Sequence, residues 1–191
     1  MAEEAAPARR PRKAGTAGAP AAKRTRAAGS SGKTLEKLVA ASSGPVVCLT
    51  QIPNGIQFKP RGEFFFKPSP PDFAGTVCAS GRSVWLDCKE ERNRTSFNAQ
   101  DDHVKPHQVE TLVAHGRAGA VSGLLIRQVH GERLRWLDWK RLEHKAASYP
   151  WDDLPDVGDA TAAVVDWDLV LLASMRAGWS SDLAQAKGGA T

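Results

Sequence analysis

The chain reads as an α/β protein of the α+β kind, a sheet covered by helices, and three observations carry that reading. Composition is that of a globular domain, with 41% hydrophobic and 7% aromatic residues among 191. Stretches whose side chains alternate with period two, such as 83–88 (SVWLDC), are separated by stretches with helical spacing, such as 106–116 (PHQVETLVAHG). Their order is helix, several mostly antiparallel strands, helix, strand, strand, helix, which fits helices laid on one central sheet.

Each element has its own signal. Residues 34–41 (TLEKLVAA) place Leu35, Leu38 and Val39 at helical spacing and carry Glu36. Residues 45–50 (PVVCLT) are β-branched and predict a strand. The polar 51–62 (QIPNGIQFKPRG) reads as an extended excursion or hairpin, and 63–67 (EFFFK) as a second strand. Pro68, Pro70 and Pro71 then interrupt regular structure just before Asp72.

Strands are predicted at 73–78 and 83–88, joined by a turn at Ala79, Ser80 and Gly81. Alternation puts Val84, Leu86 and Cys88 on one face of the second strand and Trp85, Asp87 and Lys89 on the other. A polar loop leads to the helix at 106–116, where Pro106 suits the first turn, Val109, Leu112 and Val113 form an apolar stripe, and Gly116 marks the stop. Residues 120–129 and 133–139 predict paired strands about Gly131. Residues 140–147 and 161–178 predict helices, separated by the turn-rich 149–159 (YPWDDLPDVGD).

Charge is unevenly distributed. Residues 1–33 hold eight Lys or Arg against two Glu, whereas 150–191 hold seven Asp against Arg176 and Lys187. The first 32 residues, rich in Ala, Arg, Lys, Pro and Gly, have almost nothing to bury and are expected to be a disordered basic tail. Such a tail attracts polyanions in a salt-dependent way, or simply aids solubility. A core is expected over 33–149, followed by an acidic, helical C-terminal extension over 150–191 packed on it.

No stretch reaches the length of a membrane span and no signal-peptide core is visible, so a cytoplasmic protein is expected. Cys48, Cys78 and Cys88 are odd in number and lack CxxC spacing, which argues for reduced, largely buried thiols. His103 and His107 form an HxxxH, but no further soft ligand accompanies them to make a zinc site.

The chemistry-bearing residues are Asp72, Asp87 and Lys89. Two carboxylates at the ends of adjacent strands repel unless a hard cation lies between them, and magnesium takes oxygen ligands while keeping waters and contacting phosphate. A lysine on the same face as Asp87 would orient water or stabilise charge developing on phosphorus. Together they outline metal-dependent phosphodiester hydrolysis. The alternative at this point is a turn aspartate and an exposed Asp/Lys strand end.

The segments 70–75 (PPDFAG), 84–90 (VWLDCKE) and 94–112 (RTSFNAQDDHVKPHQVETL) resemble the RecU-type Holliday-junction resolvases of the PD-(D/E)xK nuclease superfamily. The similarity spans about residues 33–139, and its specificity lies in the order: acid, acid-x-Lys, Thr-Ser-Phe, then His-Gln opening a helix. It implies a restriction-endonuclease-like fold with a central mixed sheet flanked by helices. It further implies that Asp72 and Asp87 ligate Mg2+, with Mn2+ able to substitute, that Glu36 adds a third acid, that Lys89 is catalytic, and that Gln108 positions water or substrate.

Arg92 and Arg94 would meet DNA phosphates, as their charge also suggests, with His107 near phosphate and Lys59, Arg61 and Lys67 supplying charge on the excursion after the first strand. The implied partners are four-way DNA junctions and a second copy of the chain, with no membrane and no small-molecule cofactor. The family carries glutamate where Asp87 stands, and its junction-entering stalk is longer than 51–70. A nuclease of duplex or single-stranded ends, or a catalytically degenerate DNA-binding protein, are the alternatives.

Overall fold

A computed structural model of the chain describes residues 32–53, 56–58, 64–66, 70–100 and 102–176. The expected basic tail and the residues Lys59, Arg61 and Lys67 lie outside them. Helix α1 (Gly32–Ala41) is followed by strand β1 (Val47–Gln51), the paired short strands β2 (Ile56–Phe58) and β3 (Phe64–Phe66), then β4 (Phe73–Val77), β5 (Ser83–Glu91) and β6 (Ser96–Asn98). Helix α2 (Pro106–Arg117), β7 (Val121–Gln128), β8 (Arg133–Asp138), α3 (Trp139–Glu143), β9 (Ser148–Pro150) and β10 (Asp156–Asp159) complete the order, and residues 167–176 form a last helix, α4.

The central sheet is mixed and six-stranded, in the order β1-β4-β5-β7-β8-β10. Every pairing is antiparallel except β5 with β7, which runs parallel from Val84↔Val121 to Glu91↔Gln128. A parallel pair requires a crossover, and α2 supplies it. The predicted mixed sheet flanked by helices is therefore what the chain forms.

Alternation divides the core into two layers. On one face Leu35 and Val39 of α1 join Val84, Leu86, Leu125, Trp136, Val157, Trp167 and Val170. On the other, Leu112 of α2 and Leu142 of α3 meet Leu124, Ile126, Leu137, Phe97 and Trp151. β7 is buried on both faces from Val121 to Ile126, which is why 120–129 reads as a continuous apolar run. Helices α1 and α4 cover one side and α2 and α3 the other. This fixes Trp85, Asp87 and Lys89 on the α2 side, as the period-two pattern predicts.

Two expectations change. The 149–159 stretch, read as turns, contains β9 and β10, and β10 joins the central sheet beside β8. Only Val157 of its four residues is buried, so a strand with an Asp at each end and a glycine at φ +131° carries no alternating pattern to recognise. The acidic region is thus an integral strand as well as a helix. The cysteines are free, but Cys48 and Cys78 are exposed rather than buried. Cys48 points away from the core because it alternates with Val47 on an edge strand, and Cys78 begins the β4–β5 turn. Among the described residues no helix is long and apolar enough to cross a membrane.

Candidate active site

The site forms where β4 begins and β5 ends. Ile52 N–H donates to the Asp72 carbonyl at 2.8 Å, and β4 starts at the next residue. The antiparallel register pairs Phe73 with Leu86, so one step further Asp72 comes across from Asp87. Asp72 Oδ2 accepts the Cys88 backbone N–H at 2.8 Å, which ties its carboxylate to the strand carrying Asp87 and Lys89.

Asp87 is fully buried. Its Oδ1 accepts from Gln108 Nε2 at 2.7 Å, and its Oδ2 faces the Lys89 ammonium at 2.5 Å. Lys89 Nζ donates in turn to Gln108 Oε1 at 3.2 Å, closing a ring of three side chains. Helix geometry explains the glutamine: at the third position of α2 its Oε1 reaches back to accept the Lys105 N–H at 3.4 Å, capping the helix, while the same oxygen accepts from Lys89 and Nε2 donates to Asp87 on the strand. Gln108 therefore couples the start of α2 to the end of β5.

The electrostatics are those of crowded acids. Burial pushes the Asp87 carboxyl up from 3.8 to about 6; Lys89 opposes this, while Asp72 and Glu36 add to it by like-charge repulsion. Burial also raises Asp72, against the Cys88 N–H and Lys89, and raises Glu36, with Asp72 contributing. The Cys88 thiol, next to Asp87 in sequence, is pushed well up by burial and by the charge of the two aspartates, so it is an inert packing group.

Glu36 stands on α1 and accepts from Gln51 Nε2 at 2.9 Å. A cavity of about 300 Å³ is lined by Glu36, Gln51, Ile52, Pro53 and Asp72. Among the described residues no three His, Cys, Asp or Glu converge as a ready-made metal cage. The donor chemistry nevertheless fits magnesium, which needs only one or two carboxylates beside waters and phosphate oxygens. Asp72 and Asp87 supply that pair in a place where a positive charge would relieve their repulsion. Glu36 borders the cavity on the Asp72 side and is engaged by Gln51.

The remaining predicted residues lie around this centre. Arg92 and Arg94 are exposed in the turn that follows β5, and His107 is half-buried in the first turn of α2 beside Gln108. The tryptophans Trp136, Trp151 and Trp167 are buried, and Trp139 is half-buried. Two further residues lie at its edge, outside the Asp72, Asp87, Lys89 and Gln108 group. Glu91 continues the Asp87–Lys89 face by one more alternation and was legible from period two. His103 lies 4.0 Å from Glu91 through Nε2, with its basicity lowered mainly by burial; its proximity depends on the turn before α2 and has no sequence signal.

No protein-family model and no curated protein matches the chain. Among solved structures it is similar to Hjc, a Holliday junction resolvase from the archaeal hyperthermophile Archaeoglobus fulgidus, at 17% identity and a TM-score of 0.40, covering 69% of this chain and 94% of that one.

Proposed function

We propose that the chain is a metal-dependent endodeoxyribonuclease whose substrate is the four-way DNA junction. The observation that carries this reading is the buried Asp87–Lys89–Gln108 ring with Asp72 across the strand pair, at a sheet end bordered by exposed arginines. Membership of the RecU-type group rests on the motif order in the sequence.

In this reading Asp72 and Asp87 hold Mg2+, with Glu36 on the border of the adjoining cavity and Mn2+ as a substitute. The bound ion would polarise the phosphodiester and lower the pKa of a water. Lys89, fixed by Asp87 and Gln108, keeps its ammonium at the site and stabilises charge gathering on the phosphoryl oxygens. Gln108 holds Asp87 and Lys89 in register with each other. Arg92 and Arg94 engage backbone phosphates and give no base specificity. A homodimer would place two such sites on a two-fold symmetric junction.

The test compares Asp87→Asn with the unmodified chain. The variant is expected to bind a four-way junction within about twofold of the parent yet cut it at least 100-fold more slowly, a pattern that marks loss of a group acting in the transition state. Cutting at the parental rate would remove the proposed site. One observation favours a second reading: each Asp87 carboxylate oxygen already has a neighbour, Gln108 Nε2 at Oδ1 and the Lys89 ammonium at Oδ2, an arrangement that also suits a chain keeping the fold for DNA recognition alone. Junction binding by the parent without cleavage in Mg2+ or Mn2+ would select it.

A further inference from the structure

The turn that carries Arg92 and Arg94 is fastened from two sides. Glu91, at the end of β5 with only 14% of its side chain exposed, accepts through Oε1 from the backbone N–H of Arg92 at 2.7 Å and Asn93 at 2.9 Å, and through Oε2 from Asn98 at 3.2 Å. One carboxylate thus holds both ends of the 92–98 segment. From the opposite side Trp151 donates its indole N–H to the Asn93 carbonyl at 3.0 Å and its backbone N–H to the Thr95 carbonyl at 3.3 Å. The pairing of β6 with β9 continues this second attachment. Asn93 Oδ1 closes the turn by accepting from Thr95 N and Oγ1, each at 3.1 Å.

A surface loop does not ordinarily need a largely buried carboxylate and an indole on its backbone. Both attachments act on main-chain atoms, which leaves the Arg92 and Arg94 side chains exposed while fixing where they emerge. Arginines presented on a fixed turn lose less freedom when they meet phosphate than arginines on a loose one. Glu91 also lies two residues beyond Lys89 on the same strand face, so the turn is registered to the catalytic strand itself.

We propose that Glu91 and Trp151 are positioning residues for DNA: they hold the 92–98 turn rigid so that Arg92 and Arg94 meet the DNA backbone at a fixed distance from Asp87 and Lys89. The inference rests on the DNA-nuclease reading above and adds to it a role for the C-terminal region, which reaches the DNA-facing side through Trp151.

The test uses the full chain with Glu91→Gln and Trp151→Phe, each alone and in an Arg92→Ala/Arg94→Ala background. Glutamine keeps the acceptor for Arg92 and Asn93 but turns an amide donor on the Asn98 N–H. Phenylalanine keeps an aromatic ring beside Phe97 and loses the indole donor together with the volume of the second ring. Amide hydrogen exchange over 92–98 is expected to accelerate at least about tenfold in both variants, because the local opening free energy falls. Affinity for a junction in EDTA is expected to weaken about three- to tenfold, with the cleavage rate at saturating DNA unchanged. In the background lacking both arginines the same substitutions are expected to have no further effect on affinity, as a double-mutant cycle requires of residues acting through them. An equal loss in that background, or faster exchange with unchanged affinity, would overturn the inference while leaving the nuclease reading intact. Failure of the parent chain to bind DNA at all would remove both.

Discussion

Asp87 is the residue on which the chemistry and the stability of the fold pull in opposite directions. Its carboxyl, raised to about 6 chiefly by burial, binds a proton more tightly in the folded chain than in the unfolded one. Stability from this group is therefore full below about pH 4 and lost as pH rises through about 6, a cost on the order of 2–3 kcal/mol at pH 7 without metal. Unfolding in EDTA between pH 4 and 7.5 should show this decline for the parent and a flatter profile for Asp87→Asn. Added Mg2+ should raise the parent's unfolding midpoint at pH 7.5 and leave that of Asp87→Asn unmoved, since a ligand stabilises only the state that binds it. Gln108→Leu removes both the donor to Asp87 and the acceptor of Lys89, and is expected to slow cleavage at least about tenfold with little change in junction affinity. The Asp87/Lys89 face was legible from alternation alone. That Gln108 joins it was implied by the resemblance, and its reason, a helix-capping glutamine that also reaches the strand, became visible only with α2 in place.

At the scale of elements, the site depends on α2 lying close against β7 and α3. Gly116 permits this, since a Cβ there would stand 2.2 Å from Trp139 Cγ, and Gly123 of β7 has the Leu137 carbonyl at 2.3 Å from the same hypothetical atom. Gly116→Ala is expected to cost about 1–3 kcal/mol by overpacking, read as a lower unfolding midpoint, and to slow cleavage by shifting the helix that carries Gln108. The sequence marked Gly116 as a helix stop, yet its stronger constraint is a tryptophan 23 positions further on. Long, strongly patterned elements such as α2, β5, β7 and β8 were readable. The three-residue β6 and β9 and the Asp- and Gly-containing β10 were not, because each forms through a partner distant in sequence rather than through its own pattern.

For the whole molecule, the proposed function gives charge the part of organising an encounter with DNA. Residues 1–31 carry seven Lys or Arg against two Glu, and their removal is expected to reduce the slope of log affinity against log salt without changing which DNA structure is preferred. The acidic C-terminal part is not a detachable appendage: Val157, Val165, Trp167 and Val170 share the core layer of α1 and β5, and Trp167 donates to the Ser42 carbonyl at 2.7 Å. Its acidity was plain from composition, whereas its place in the sheet required the register of β10 on β8.

The most direct measurement is cleavage of an end-labelled four-way junction in Mg2+, beside linear duplex of the same sequence, by the parent chain and by Asp87→Asn. Paired symmetric nicks confined to the junction, made by the parent and absent with the variant, are the predicted result. Junction binding without cuts in either Mg2+ or Mn2+ would contradict the catalytic role given to Asp72, Asp87 and Lys89.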